Sequence, residues 1–225
     1  MIHTSLIKNT SHKAPGNAKL LKKAVENCKW LKYKSFKPGF WAMDNAALYT
    51  LFHILDSGKP KKIMEFGLGQ SSKMVHQYAL FSENAAAVTI EHNREWAAAF
   101  CKDLPEELKI NIHYFDIENI SMHGHETLTY KNIAGIWGEG GYDFIIVDGP
   151  FGSKHYSRSQ IITIAEYGLP EQFCIFMDDT ERRGEKETVK EISKVLGEKG
   201  INHWITEYKG IRKRHTIICS ELYAP

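Results

Sequence analysis

At 225 residues, with 43% hydrophobic and 25% charged residues, the chain has the composition of an ordinary globular domain, long enough to bury one sizeable core. A formal net charge of +2 gives no reason to expect a nucleic-acid partner or an anionic membrane surface. No apolar run approaches the ~18 residues of a membrane span, and residues 1–16 are polar, without the apolar stretch of a signal peptide. The expected compartment is the cytoplasm. Cys28, Cys101, Cys174 and Cys219 are widely spaced and form no Cys-x-x-Cys pair, so they are expected as buried free thiols.

Residues 1–16 read as a loose arm. From 17 to 30, Leu20, Leu21, Ala24, Val25 and Cys28 recur at helical spacing among lysines, an amphipathic helix. Lys37-Pro38-Gly39 breaks the chain, and Asp44 or Asn45 then caps a second helix with Leu48, Leu51, Phe52 and Leu55 on its apolar face, ending before Gly58. No strand is expected before these helices. After them the pattern becomes regular: strands over 63–68, 87–91, 110–115, 142–147 and 173–177 alternate with helices over 71–81, 94–104, 159–167 and 185–199. Such alternation predicts a parallel sheet with right-handed crossovers. The runs Phe144-Ile145-Ile146-Val147 and Phe173–Met177 lack polar alternation, as expected of strands covered on both faces. The last two strands, 203–208 and 214–220, are joined by only five residues, too few for a crossover, and must be antiparallel neighbours. Residues 117–141 show weak periodicity and three glycines, and are either a functional loop or an element that periodicity does not reveal. His123-Gly124-His125 lies within this stretch and has no partner at zinc-ligand spacing.

The chemistry gathers at strand ends. Ile63-Met64-Glu65-Phe66-Gly67-Leu68-Gly69-Gln70-Ser71-Ser72 is a strand, a tight glycine turn and a helix N-terminus, a site for the polar end of a nucleotide-like ligand. A dinucleotide fingerprint wants glycine at 67, 69 and 72, and Ser72 departs from it. Pyrophosphate has little use for the Glu65 carboxylate before the turn, whereas a ligand with a cationic ammonium or sulfonium end does. Glu91 ends the second strand, where a carboxylate can accept both ribose hydroxyls of an adenosine, in NAD or in S-adenosylmethionine (SAM) alike. Asp116, after the third strand, is placed either to accept from an adenine amino group or to cap a turn. Asp148, in Val147-Asp148-Gly149-Pro150-Phe151-Gly152, and Asp178-Asp179 end strands expected side by side, roughly 4.8 Å apart. Three carboxylates there would raise one another's pKa values. A divalent cation such as Mg would relieve this; the plainer reading pairs Asp178 or Asp179 with Arg182 or Arg183 or makes one a helix cap. His155 is a candidate general base, and Lys154 or Arg158 a candidate holder of an anionic substrate group.

Taken together, Glu65–Ser72, Glu91 and the run from Tyr142 to Gly152 resemble the class I SAM-dependent methyltransferases, over about residues 63–220. The resemblance implies a Rossmann-like three-layer α/β sandwich with a seven-stranded, mostly parallel sheet ending in an antiparallel hairpin. Residues 61–225 would form the SAM-binding domain and 1–60 a helical extension or substrate cap on one compact unit. It further implies that Glu65, Gly67 and Gly69 surround the methionine part of SAM, with Ser71 in place of a third glycine and Ser72 beside it. Glu91 would hold the ribose and Asp116 would lie near the adenine. Asp148, Asp178 and Asp179 resemble the metal-binding pattern of catechol-type O-methyltransferases, which use Asp, Asp and Asn; Asp179 departs from that pattern. Val147-Asp148-Gly149-Pro150-x-Gly152 also resembles the glucuronoxylan O-methyltransferases. The function expected is SAM-dependent O-methylation of a small-molecule or saccharide hydroxyl, with Asp148 as base or metal ligand. The rivals are an NAD(P)-dependent oxidoreductase and a non-catalytic partner subunit of the same fold. The sequence leaves the oligomeric state open, a homodimer included.

Overall fold

The computed structural model describes residues 7–13, 18–38, 42–210 and 212–223. At its centre lie the apolar runs. In β2 (Lys62–Phe66), β7 (Phe144–Val147) and β8 (Cys174–Met177) every residue but Lys62 is buried, which is what strands covered on both faces require. They pair in parallel, Met64 facing Ile145 and Ile145 facing Ile175. On the other side of β2 follow β3 (Ala86–Glu91) and β4 (Ile112–Tyr114), also parallel. The chain thus winds outward from β2 one way and returns through β7 the other way. The switch between them is where open α/β sheets bind ligands.

Strand parity divides the core. Ile63, Phe144, Ile146, Cys174 and Phe176 face α1 (Ala18–Glu26), α2 (Asn45–His53) and α3 (Gln70–Phe81). Met64, Phe66, Ile145, Val147 and Ile175 face α5 (Ile133–Trp137), α6 (Gln160–Tyr167) and α7 (Arg183–Glu198). α4 (Arg94–Lys102) covers the β3–β4 side with Ala97 and Phe100 against Leu68. The result is the expected three-layer sandwich. Asp44 caps α2, accepting from the Ala46 and Ala47 N–H groups at 2.9 Å, and the helix runs on into a π turn over Ile54–Gly58.

The closing hairpin is present. β9 (His203–Lys209) and β10 (Arg214–Cys219) are antiparallel, and β10 lies between β8 and β9. The seven expected strands are joined by an eighth. β1 (Ile7–Lys13) pairs in parallel with β9 along its whole length, at the sheet's edge, which corrects the reading of residues 1–16 as a loose arm and of no strand before the helices. Its sequence, Ile-Lys-Asn-Thr-Ser-His-Lys, carries no apolar alternation. It is held by main-chain pairing and by the Thr10 and Thr206 hydroxyls at 2.9 Å. Residues 1–6, 14–17 and the chain break at Gly39 lie outside the described residues.

Residues 117–141 contain elements that periodicity did not show: a hairpin of β5 (Ile117–Met122) and β6 (His125–Tyr130), and α5. His123 and Gly124 form its two-residue turn, both at positive φ (49° and 78°). α1 and α2 lie on the sheet face, and the segment between them reaches the ligand edge with Lys37 and Ala42. No helix among the described residues is long and apolar enough to cross a membrane.

Candidate functional site

A cavity of about 780 Å³ opens at the carboxyl ends of β2, β3 and β7. Its floor is the turn after β2. Gly67 sits there at φ +93°, and a Cβ on it would lie 2.9 Å from the Gly149 nitrogen and 3.0 Å from the Asp148 carbonyl carbon. The turns after β2 and β7 therefore cross in backbone contact, which only glycine at 67 permits. Gly67→Ala is expected to cost about 2 kcal/mol from the left-handed conformation and the displaced crossing. Denaturant titration checks this, and an unchanged midpoint would contradict the crossing. Gly69 starts α3 with nothing within 4 Å of where its Cβ would stand, so the floor is open on the cavity side. Ser72 Oγ accepts the Gly69 N–H at 2.9 Å.

Glu91, at the end of β3, lines the same cavity. Its Oε1 accepts the His92 and Asn93 N–H groups at 2.7 and 2.8 Å, and its Oε2 accepts Leu68 N–H at 2.9 Å. The carboxylate so ties the glycine turn to the end of β3 and keeps lone pairs on Oε2 for a ligand hydroxyl. Trp96 braces the turn from α4 by donating its indole N–H to Leu68 O at 2.8 Å. Trp96, Phe100, Tyr130 and Phe151 give the cavity apolar walls, and no sequence motif marks any of them as site residues. Their signal is weak, since isolated aromatics in helices and loops read as core.

Glu65 is elsewhere. It is fully buried beneath the turn and is not among the residues lining the cavity. Ser71 and Ser72 are buried beside it. His76 faces the Asn111 N–H with Nδ1 at 3.5 Å, so its Nε2 carries the proton and donates to Thr89 Oγ1 at 2.8 Å; Thr89 in turn donates to Glu65 Oε2 at 2.8 Å. Burial pulls His76 down to about 4, leaving it neutral. Burial also pushes Glu65 up to about 7, with the hydroxyls of Ser71, Ser72 and Thr89 opposing. The folded chain therefore keeps this proton well above the ordinary value of 4.5. Below that value the group has no effect on stability; as pH rises from there towards about 7, ionisation favours the unfolded state and stability falls, by up to ~1.4 kcal/mol per pH unit. Glu65→Gln should flatten this part of the curve. Superimposable stability–pH curves for the two proteins would contradict the buried, protonated Glu65.

The acids at the ends of β7 and β8 do come together. One carboxylate oxygen from each of Asp148, Asp178 and Asp179 lies within 4.8 Å of the others. Asp148 and Asp179 line the cavity, whereas Asp178 is buried behind them. Between them lies Arg158. Its Nη2 donates to Asp179 Oδ2 at 2.8 Å and Asp148 Oδ1 at 3.2 Å, and its Nη1 to the main-chain oxygens of Asp178 and Val147 at 2.9 and 3.1 Å. Lys213 Nζ, from the β9–β10 turn, is 2.9 Å from Asp179 Oδ1, and Arg182 Nη1 is 3.1 Å from Asp179 Oδ2. Burial pushes Asp178 well above its ordinary range, and Asp148 to about 6 against the pull of Arg158. Burial also acts on Asp179, but Arg158, Lys213 and Arg182 outweigh it and hold that carboxyl low. Glu185, fully buried next to Arg158, is raised by burial as well. The expected pairing with Arg182 is present; Arg183 instead pairs with Glu187 at 2.8 Å. Lys213 could not be foreseen, since its contact depends on the hairpin turn folding over the end of β8.

Besides the buried Glu65, Ser71, Ser72 and Asp178, His155 and Asp116 are not brought to the cavity either. His155 is not among its lining; the ring stacks on His125 at 3.8 Å and holds Glu187 through Nδ1 at 3.0 Å. Nearness to Asp148 in sequence did not carry over, because the chain turns away towards α7. Asp116 is exposed at the root of the β5–β6 hairpin, its carbonyl accepting Lys131 N–H at 2.8 Å, and it does not line the cavity.

No protein-family model matches the sequence, and no curated protein matches it. Solved structures do match the fold. A candidate O-methyltransferase from Klebsiella pneumoniae aligns over 91% of this chain and 90% of its own at TM-score 0.51 and 15% identity. A candidate caffeoyl-CoA O-methyltransferase from Staphylococcus aureus aligns over 91% and 93% at TM-score 0.51 and 14% identity. An O-methyltransferase from Bacillus cereus, solved in complex with SAH, aligns over 91% and 92% at TM-score 0.50 and 12% identity. The chain has the fold of the class I SAM-dependent methyltransferases.

Proposed function

We propose that this protein is a SAM-dependent methyltransferase acting on a hydroxyl oxygen of a small molecule or saccharide. The observation that carries this reading is the meeting of three strand ends on one cavity: the Gly67–Gly69 turn, the Glu91 carboxylate and Asp148. The residues fit the cofactor. The turn offers close backbone approach for the methionine end, Glu91 Oε2 has capacity for ribose hydroxyls, and Trp96, Phe100 and Tyr130 supply apolar surface for the base. Glu65 acts on the cofactor through the turn that it supports rather than by contact. SAM, when bound, supplies an electrophilic methyl group. The protein's part is to hold the acceptor beside that group, to exclude water, and to take the hydroxyl proton on Asp148. The segment carrying Lys37 and Ala42 would cover the acceptor, which narrows the cap role expected of residues 1–60 to this stretch.

Calorimetric titration with SAM, SAH and NADH tests the reading. Saturable binding of SAM and SAH without NADH is expected; binding of NADH alone would overturn it in favour of an oxidoreductase.

A further inference from the structure

We propose that Arg158 is a built-in cation that takes the place of a divalent metal between the ends of β7 and β8, so that Asp148 and Asp179 work against a guanidinium rather than an ion. Asp148, Asp178 and Asp179 look at first like a site for a hard cation, since three carboxylate oxygens converge within 4.8 Å. Asp148 and Asp179 already share a cation, whereas the two carboxylate oxygens of Asp178, buried behind them, have no hydrogen-bond partner among the described residues. Arg158 Nη2 lies within hydrogen-bond distance of both Asp148 and Asp179, at 3.2 and 2.8 Å. The second Asp179 oxygen faces Lys213 Nζ at 2.9 Å. A metal between Asp148 and Asp179 would have to displace a guanidinium, which has five N–H donors and no lone pair to offer the ion.

The guanidinium is not a side chain that steps aside. Arg158 is 3% exposed, and its Nη1 is held by the main-chain oxygens of Val147 and Asp178, which close β7 and β8. Its backbone is fixed at φ +60°, and Glu185, itself fully buried, stands 4.0 Å from Nε. The planar fork matches two carboxylates and two carbonyls at once, geometry that a lysine or a hydrated ion would not reproduce. Arg158 is thus a positioning residue. It fixes Asp148 at the cavity wall and supplies the positive charge locally, so an acceptor needs one hydroxyl at Asp148 and no second oxygen to chelate a metal. Only this last clause rests on the proposed methyl transfer; the replacement of the ion does not.

The test uses the full chain, freed of metal by chelator and dialysis, titrated with Mn²⁺ and followed by electron paramagnetic resonance. No saturable Mn²⁺ binding is expected up to millimolar concentration, and SAH affinity should agree within about twofold in EDTA and in Mn²⁺. Stoichiometric Mn²⁺ binding by the wild type that is lost in Asp148→Asn would overturn the proposal. Arg158→Gln supplies the converse: freed of the guanidinium, the carboxylates should gain Mn²⁺, seen as bound ion or as an Mn²⁺-dependent rise in Tm. A folded Arg158→Gln that gains neither would overturn the claim that Arg158 fills an ion's place. If that variant does not fold, the wild-type titration decides alone. Failure of SAH to bind while Mn²⁺ is also ignored would remove the methyltransferase reading and leave this one standing.

Discussion

Glu91→Ala is expected to weaken SAM binding by about 100-fold or more in a protein that still folds. Hydrogen bonds from two ribose hydroxyls to a charged acceptor contribute about 1.5–3 kcal/mol each, and losing about 3 kcal/mol is roughly a hundredfold in Kd. The substitution reaches further than the ligand. Leu68, His92 and Asn93 each donate a main-chain N–H to this carboxylate, so its removal also unties the glycine turn from β3. Glu91→Gln keeps an acceptor of the same shape without the charge and should lose about tenfold. Calorimetry with SAH reads both. Unchanged affinity in a folded Glu91→Ala would mean that the adenosine lies elsewhere.

Arg158→Met should destabilise the fold by about 3–5 kcal/mol at neutral pH, the usual cost of removing one partner from a buried ion pair. Asp148 and Asp179 would be left without their shared donor, and the main-chain oxygens of Val147 and Asp178 would lose theirs at the sheet's edge. For a chain of this length that is roughly a 10 °C fall in Tm. Adding Asp148→Asn to Arg158→Met should recover part of the loss, because Asp148 forms its ion pair with Arg158 whereas Asp179 keeps Lys213 and Arg182. A single-variant change below about 1 kcal/mol, the range of exposed pairs, would show that the cluster is not buried in solution as described.

What the sequence reveals here, and what it hides, follows from where each contact is made. β2, β7 and β8 are legible because burial on both faces leaves unbroken apolar runs, and the β9–β10 hairpin because its connection is too short for a helix. Asp44 announces itself as a cap by standing just before an apolar helical face. β1 is not legible, because an edge strand held by main-chain pairing to β9 needs no side-chain pattern. The β5–β6 hairpin is hidden for a related reason: its turn uses His123-Gly124 at positive φ in place of the commoner Asn-Gly.

The site divides in the same way. Gly67, Glu91 and Asp148 could be picked out because each stands at or directly after a strand's carboxyl end, where topology alone delivers it to the cavity, and Gly69 because it opens α3 across the same turn. Asp116 lies two residues past the end of β4, enough for the following hairpin to turn it outward. His155 follows Asp148 closely in sequence, yet Glu187 of α7 holds it away. The charge balance is the least legible part of the site. Convergence of Asp148, Asp178 and Asp179 suggested an ion, while the neutralising groups come from a loop residue, Arg158, and from a hairpin turn across the sheet, Lys213.

A crystal structure of the full chain grown with SAH and Mn²⁺ tests the central claim most directly. The prediction is SAH along the carboxyl ends of β2 and β3, its ribose hydroxyls on Glu91 and its sulfur side towards Asp148, with Arg158 still between Asp148 and Asp179. SAH bound away from Glu91, or a cavity that excludes it at saturating concentration, would contradict the account.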